Sequence, residues 1–448
     1  MRRAPILLWL LILTAGCAKV QPETDFGKVS DIAQARHDTR PLWVQTPEDE
    51  AFVKSEVQAI LARGVTMQDA VRLTLINNPG VQARFEEIGV GKAELVQAGL
   101  PRNPSLAALF GFPLFSGGPL ASLAAQAMIS VSDLAEIKDR TAKAQAELTR
   151  EVLTVGRDAM IAARDAKLAW LELAYAKRSV ALASDVAAQA KKLTDSSKQY
   201  RSFGLTDEGR MAALEAASAK ALLEVAELKS RAAIAKARLA RLMGVTALFD
   251  ITGPVLEKSL PLPDPAKAAE YAVANNLNVQ AAVYLIQAAR SGKELEKVRW
   301  LKDFEVGAGY DYDIEGNRTL GPGASLKLPI FDQNQAQRAK AVYRLRQAER
   351  LHQDAKAEAV EEVQRALEDA GLARQLADGL ASGVIPPAER AAAWAGKYAQ
   401  AMQLSELDAL TAKLELLHAR LKFDQALMQE QAALVRLEYA LGGPLKAE

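Results

Sequence analysis

Few residues in this 448-residue chain have the types and spacings that chemistry needs. Its three histidines, His37, His352 and His418, are far apart in sequence and show no metal-ligand spacing. The eight methionines do not gather into a copper-like cluster. There is no phosphate-cradling glycine loop and no Gly-x-Ser-x-Gly elbow. No catalytic residue, metal site or cofactor is expected. What remains is a single cysteine, Cys17, which excludes an internal disulfide.

The surroundings of Cys17 point to lipid attachment. Arg2 and Arg3 form a positive start, Ile6 to Leu13 an apolar stretch, and Thr14-Ala15-Gly16-Cys17 a small-residue cleavage site. The pattern resembles the lipobox of bacterial lipoproteins, with Thr14 in place of the usual leucine. It implies a signal peptide over 1–16 and a lipidated N-terminal periplasmic segment over 17–63. An ordinary signal peptide with an incidental cysteine is the alternative. Ala18, where inner-membrane lipoproteins tend to carry aspartate, directs the protein to the outer membrane.

The bulk composition narrows the class. Lys and Arg (56) nearly cancel Asp and Glu (55), which leaves no electrostatic footprint for nucleic acid. Half of the residues are apolar, yet aromatics are only 6% and alanine supplies much of the rest. That mixture favours long helices packed closely through small side chains.

These helices occur in a duplicated frame. Asn77-Asn78-Pro79-Gly80-Val81-Gln82-Ala83 is matched by Asn275-Asn276-Leu277-Asn278-Val279-Gln280-Ala281, 198 residues later. The same offset carries Tyr200 onto Tyr398 and Gly244 onto Gly442. Two long repeats follow, at 64–250 and 251–448, one architecture built twice and not a solenoid of short units.

Within the first repeat, Thr66-x-x-Asp69 is a capping box that opens a helix to about Ile76, and Asn77-Asn78-Pro79 interrupts it. A second helix runs to Gly99. Residues 103–132 carry no charge, but Pro104, Pro113 and Gly117-Gly118-Pro119 break a helix and suit a β-hairpin with strands at about 104–115 and 120–132. From Leu134 to Phe203 a coiled-coil seam with steps of three and four predicts one helix of about 100 Å. Gly204 turns the chain, and a helix returns from about Asp207 to Met243. Taken alone, this stretch would equally suit a soluble coiled-coil hairpin.

The second repeat is more specific. From Asp303 to Tyr312 the residues alternate, with Phe304, Val306, Ala308, Tyr310 and Tyr312 on one face and Glu305, Gly307, Gly309 and Asp311 on the other. After a polar loop the return strand places Leu320, Ala324, Leu326, Leu328 and Ile330 opposite to Ser325 and Lys327. Strands of about 9–11 residues with one apolar face fit a membrane barrel, with Glu305, Asp311 and Lys327 toward the lumen. This membrane hairpin covers about 303–331. A long helix follows from Asn334, broken at Gly383 to Pro387, and a last helix is expected from about Ala388 to Leu441. Four strands cannot close a barrel and a membrane tolerates no open edge, so the chain must oligomerise.

Together these features resemble the TolC-like outer membrane efflux proteins. The landmarks are Asn77-Asn78-Pro79-x-Val81-Gln82-Ala83, Leu328-Pro329-Ile330-Phe331-Asp332, Ile385-Pro386-Pro387, Tyr398 and Ala440-Leu441-Gly442. They cover essentially all of the mature chain. The strand exit with Gln333-Asn334-Gln335 is most similar to the heavy-metal-efflux branch. The resemblance implies a mainly α protein with a membrane β-barrel portion: a homotrimer with a 12-stranded barrel continued by a 12-helix periplasmic α-barrel. It further implies a passive duct, docked to a periplasmic adaptor and an inner-membrane pump of the RND type.

The resemblance also implies a periplasmic entrance narrowed by acidic residues just past the second helical tip. Asp408 falls on one such position and Thr411 on the other, with Glu406 nearby. Arg210 occupies the position equivalent to Asp408 in the first repeat, which makes an Asp408–Arg210 contact the expected gate, with solvated helix charges as the alternative. The tips depart from the family pattern, since Ala401 stands three residues after Tyr398 and Gly204 four after Tyr200. Two rival functions are a periplasmic coiled-coil adaptor or structural lipoprotein, and an independent porin. The first leaves two barrel-type hairpins unexplained, and the second leaves the long helices unexplained.

Overall fold

A computed structural model of the chain describes residues 19–112, 122–202, 207–253, 261–299, 304–328, 330–401 and 405–443. Cys17, the first hairpin's tip and Gly204 lie outside them. The helices are α1 (Glu23–His37), α2 (Pro47–Arg63), α3 (Met67–Asn77), α4 (Pro79–Gly99), α5 (Val131–Ser202), α6 (Glu208–Met243), α7 (Pro265–Asn275), α8 (Leu277–Val298), α9 (Gln335–Gly379), α10 (Ile385–Gln400) and α11 (Glu406–Leu441). Four strands complete the order: β1 (Ser105–Gly111), β2 (Ser122–Ser130), β3 (Phe304–Tyr312) and β4 (Arg318–Leu326). Helix, helix, hairpin, long helix and returning helix therefore occur twice in the same sequence. Two compact units cut across that order. One holds Glu86–Val155 and Asn278–Lys356 with the chain up to Lys28; the other holds Val29–Phe85, Gly156–Leu277 and Ala357–Glu448.

Local chemistry explains most element ends. Thr66 accepts the backbone N–H of Asp69 at 3.1 Å while Asp69 accepts that of Thr66 at 3.1 Å, the reciprocal box expected at the start of α3. Arg63 holds the same carboxylate at 2.6 Å. α5 is one continuous helix of 72 residues and begins at Val131, three residues before the expected Leu134. Asp133 in its first turn favours the start, because a carboxylate there complements the helix dipole.

One expected helix is corrected. The last helix does not run from Ala388 to Leu441. The chain passes through Leu380–Val384 as a single π-helical turn and continues as α10, which ends at Gln400; α11 starts anew with Ser405 as its N-cap. Pro386 and Pro387 lack the N–H groups that α-spacing requires. The π turn widens the ladder around them, with the Ile385 N–H donating to the Leu380 carbonyl, so a bulge replaces a break.

The repeated landmarks meet in space. Asn77 donates its side-chain amide to the carbonyl of Met243 at 2.8 Å, and Asn78 donates to that of Leu242 at 2.7 Å. The last carbonyls of α6 thus find partners at the junction of α3 and α4. Gln82 locks the same corner, donating to Leu42 and accepting from the Val44 N–H. Around it packs a core of Leu73, Ile76, Trp170, Leu171, Leu239 and Met243, with the Trp170 indole donating to the Val65 carbonyl at 2.9 Å.

Candidate functional site

The four strands form one antiparallel meander in the order β1-β2-β3-β4. Directly paired residues point to the same side of a sheet. Register therefore assigns the faces: Phe304 pairs with Leu326, Val306 with Ala324, Ala308 with Pro322 and Tyr310 with Leu320. Ile129 stands opposite Val306 and Ala127 opposite Ala308, while Leu106 and Phe110 extend the face onto β1. One side of the whole sheet is apolar until Arg318, opposite Tyr312, at its margin. Val306, Leu320 and Phe110 on it are solvent-exposed in the single chain.

The other face is mostly polar or small, with Met128 opposite Gly307 and Leu109 opposite Ala124 as its large apolar members. Glu305 pairs with Ser325 and Ser130, and Asp311 with Thr319 and Ala124. Lys327 lies one residue past the end of β4, where the alternation continues from Ser325. Between the carboxylates lie Gly307 opposite Gly323 and Gly309 opposite Gly321. A side chain at Gly307 would overlap the Ala127 carbonyl, whereas one at Gly321 would meet nothing within 4 Å. The apolar and polar faces are those expected from period two alone, but Gly307 is reserved for close backbone approach. Among the described residues the sheet stops at β1 and β4, so both edges carry unpaired backbone groups.

Below the sheet a buried polar network fixes the helix starts. Asp133, almost wholly buried, accepts Arg140 at 2.6 Å and the Arg102 backbone N–H at 2.8 Å. Burial alone would raise its pKa; the hydrogen bonds from Arg140 and Arg102 overcome that and hold it below the usual carboxylate value. Arg299 bridges Glu136 at 3.2 Å and Glu296 at 2.9 Å. Asn334, at a left-handed φ of 63°, donates to the Glu296 carboxylate at 2.8 Å and to its carbonyl. Asparagine tolerates that conformation better than most residues. The Gln333-Asn334-Gln335 run could have signalled this corner, but its partner Glu296, 38 residues away, could not be read from sequence.

At the helix starts the residues expected to gate serve their own helices. Arg210 pairs with Asp207, the N-cap of α6, at 3.3 Å. Asp408 accepts from the Ser405 hydroxyl at 3.0 Å, and its N–H donates back to that hydroxyl. Glu406 is the first residue of α11. Arg210 and Asp408 occupy equivalent positions, and each helix start carries two carboxylates where the helix dipole favours them, Asp207 and Glu208 at α6 and Glu406 and Asp408 at α11. Within one chain Arg210 is drawn to Asp207 on its own helix and not to Asp408.

The histidines stay apart. His418 lies 3.4 Å from Glu224, His352 is shifted down by burial and by Lys356, and His37 sits in a pocket of cations. No group of three metal-ligating side chains occurs among the described residues, and no described helix is long and apolar enough to cross a membrane.

No family model matches the chain. It is 26% identical over 244 residues to the cobalt-zinc-cadmium resistance protein CzcC of Cupriavidus metallidurans. That alignment covers 52% of this chain and 57% of the relative, so the chain spans little more than half the length of the curated relative it matches. Solved structures agree over far more of the molecule. CusC superposes with a TM-score of 0.70 at 15% identity, covering 84% of this chain and 92% of CusC. The Campylobacter jejuni CmeC outer membrane channel gives 0.71 at 13% identity, covering 85% and 86%. The open state of the Neisseria gonorrhoeae MtrE outer membrane channel gives 0.68 at 16%, covering 85% and 90%. The chain has the fold of these outer membrane channels.

Proposed function

We propose that this chain, with its TolC-like channel fold, is the outer membrane duct of a tripartite efflux system. The observation that carries the proposal is the four-stranded meander, apolar across one entire face and open at both edges. A sheet of this kind satisfies its edges only by pairing with further strands, and an apolar outer face suits lipid. Three copies would supply twelve strands, above the minimum of about eight for a bacterial barrel. Glu305, Asp311 and Lys327 would face the lumen, and the long helices would continue the passage into the periplasm.

In this proposal conduction is passive. A periplasmic adaptor and an inner-membrane pump of the RND type supply energy and choose the cargo. The relative named for cobalt, zinc and cadmium resistance makes divalent cations the proposed cargo class. Cys17 adds a lipid anchor that assists assembly, a second attachment beside the barrel. The test is the full-length protein extracted in detergent, weighed by native mass spectrometry and reconstituted in planar bilayers. Trimers with single-channel conductance are expected. A monomer that leaves bilayers silent would overturn the duct.

A further inference from the structure

Where α8 leads into the sheet and α9 returns from it, the two helices enclose a groove of about 310 Å³. Lys293 and Lys297 line it from α8, and Gln335 and Arg338 from α9, with Ala339 and Val342 as its apolar members. Lys297 is answered by Glu294 at 2.6 Å. Lys293 and Arg338 have no carboxylate partner among the described residues. The carboxylates flanking them in sequence are engaged elsewhere, Glu296 by Arg299 and Asn334, and Asp332 by the Asn334 N–H. Three cations and no carboxylate therefore line the groove, and like charges this close need an anion between them.

A run of exposed apolar side chains ends at the same groove. Gln335 donates to the Phe331 carbonyl at 3.1 Å and accepts the Gln333 N–H at 2.7 Å, which ties Phe331 to the groove's lip. Phe331 is 90% exposed, and Leu328 and Ile330 are exposed with it. Alternation from Leu326 carries Leu328 onto the apolar face of the sheet. One short segment thus joins that face to a cationic groove. Large apolar side chains gathered in this way mark a surface that meets something other than water.

The side of the helices on which the groove opens is also defined. A larger hollow of about 780 Å³ is lined by α4, α5, α8 and α9 together. From α9 it takes Lys340 and Arg344, whereas the groove takes Arg338 and Val342. Residues two apart on a helix point about 200° away from each other, so α9 turns opposite sides to the two spaces. A hollow shared by four successive helices is their concave side, which the duct proposed above would turn to the passage. The basic groove then faces outward, at the foot of the apolar sheet face.

We propose that this groove seats the headgroup of an anionic phospholipid, with Lys293, Lys297 and Arg338 around the phosphate and the acyl chains along Phe331, Ile330 and Leu328. Arginine offers a phosphate two parallel donors and lysine a point charge. A free phosphate would satisfy the cations and leave the apolar run bare. The proposal rests on the duct reading, since that reading brings the sheet into a bilayer.

Native mass spectrometry of the full-length, delipidated protein tests it, with phosphatidylglycerol, phosphatidylethanolamine or inorganic phosphate added. Phosphatidylglycerol should be retained at one molecule per chain, and more tightly than zwitterionic phosphatidylethanolamine. Lys293→Gln and Arg338→Gln should each weaken it about fivefold, the usual contribution of one cation at an anionic lipid surface. Lys297→Gln should weaken it less, because Glu294 already answers that charge. Lys340→Gln removes the same charge from the other side of α9 and should leave retention unchanged. Phe331→Ser should weaken phosphatidylglycerol alone. Equal retention in the wild type and in the Lys293→Gln, Arg338→Gln double variant would overturn the site. Inorganic phosphate bound as tightly as phosphatidylglycerol would overturn the lipid as its occupant. A conducting trimer with no preference for phosphatidylglycerol would overturn this inference and leave the duct standing; a silent monomer would overturn both.

Discussion

Gly244 ends α6 directly against the carbonyl of Asn77, at a left-handed φ of 68°. The pair is repeated at Gly442, φ 75°, where an added Cβ would lie 2.9 Å from the Asn275 carbonyl. The offset of 198 residues that links the motifs thus records one contact made twice. A glycine is needed at each position for two reasons, the handedness of the cap and the approach of a backbone oxygen.

Gly244→Ala should therefore cost more than the roughly 1–2 kcal/mol of a left-handed alanine, because the methyl also displaces Asn77. Gly316→Ala is the control, with a φ of 90° and open space around it. Asn78→Leu should cost about 1–3 kcal/mol by leaving the Leu242 carbonyl without its donor. Thermal melts followed by helical circular dichroism check all three. Equal losses for Gly244→Ala and Gly316→Ala would show that the Asn77 contact adds nothing.

The two sheet faces should respond oppositely to charge. Val306→Arg places a cation on the apolar face, at about 2–4 kcal/mol per chain if that face meets the bilayer midplane. Gly321→Arg has room on the polar face and should leave assembly intact while changing conductance. Gly307→Arg should fail for a different reason, since any side chain there strikes the Ala127 carbonyl. Yields of assembled protein in detergent separate the three. Equal assembly of Val306→Arg and Gly321→Arg would reverse the face assignment.

Gly307 also marks the limit of what period two reveals. Alternation from Phe304 to Tyr312 places it on the polar face, and register agrees. Its steric demand depends on how closely β2 approaches, a distance that no local pattern encodes. The same division holds elsewhere. Thr66 and Asp69 are legible because a capping box is local, and Gly244 because a left-handed cap has a residue signature. Pro386 and Pro387 read as a break because proline ends α-spacing, yet a π turn in which the Ile385 N–H donates to the Leu380 carbonyl carries the helix on to them. The Asn334–Glu296 and Asp133–Arg140 contacts were illegible or half legible according to whether the partner sat in another element.

Acid should weaken the fold through His37. Burial first, then Lys167 and Arg36, lower its pKa to about 3 from 6.5, so the imidazole stays neutral in the folded chain. Below pH 6.5 the unfolded chain binds a proton that the folded chain refuses. Stability therefore falls as pH drops from 6.5 toward 3, by at most about 1.4 kcal/mol per pH unit from this group. His37→Gln should flatten that part of the curve. Parallel pH–melting profiles for the two proteins would remove His37 from the account.

The tips offer a test in which charge and helix capping separate. In the proposed trimer, Asp408 and Glu406 from three chains would ring the periplasmic entrance, where like carboxylates repel unless cations or basic groups intervene. Asp408 also accepts from Ser405 at the start of α11, and Arg210 is held by Asp207. Opposite charges at equivalent positions thus have a local cause, and a gate must show itself beyond that cause. Asp408→Ala removes charge and cap together; Ser405→Ala removes the cap and keeps the charge. If Asp408 gates, single-channel conductance should rise in Asp408→Ala and not in Ser405→Ala, and Arg210→Ala should raise it by releasing a contact with the neighbouring chain. An equal rise in Asp408→Ala and Ser405→Ala would make the effect one of helix fraying. Unchanged conductance in Asp408→Ala, Glu406→Ala and Arg210→Ala would leave these residues as caps alone.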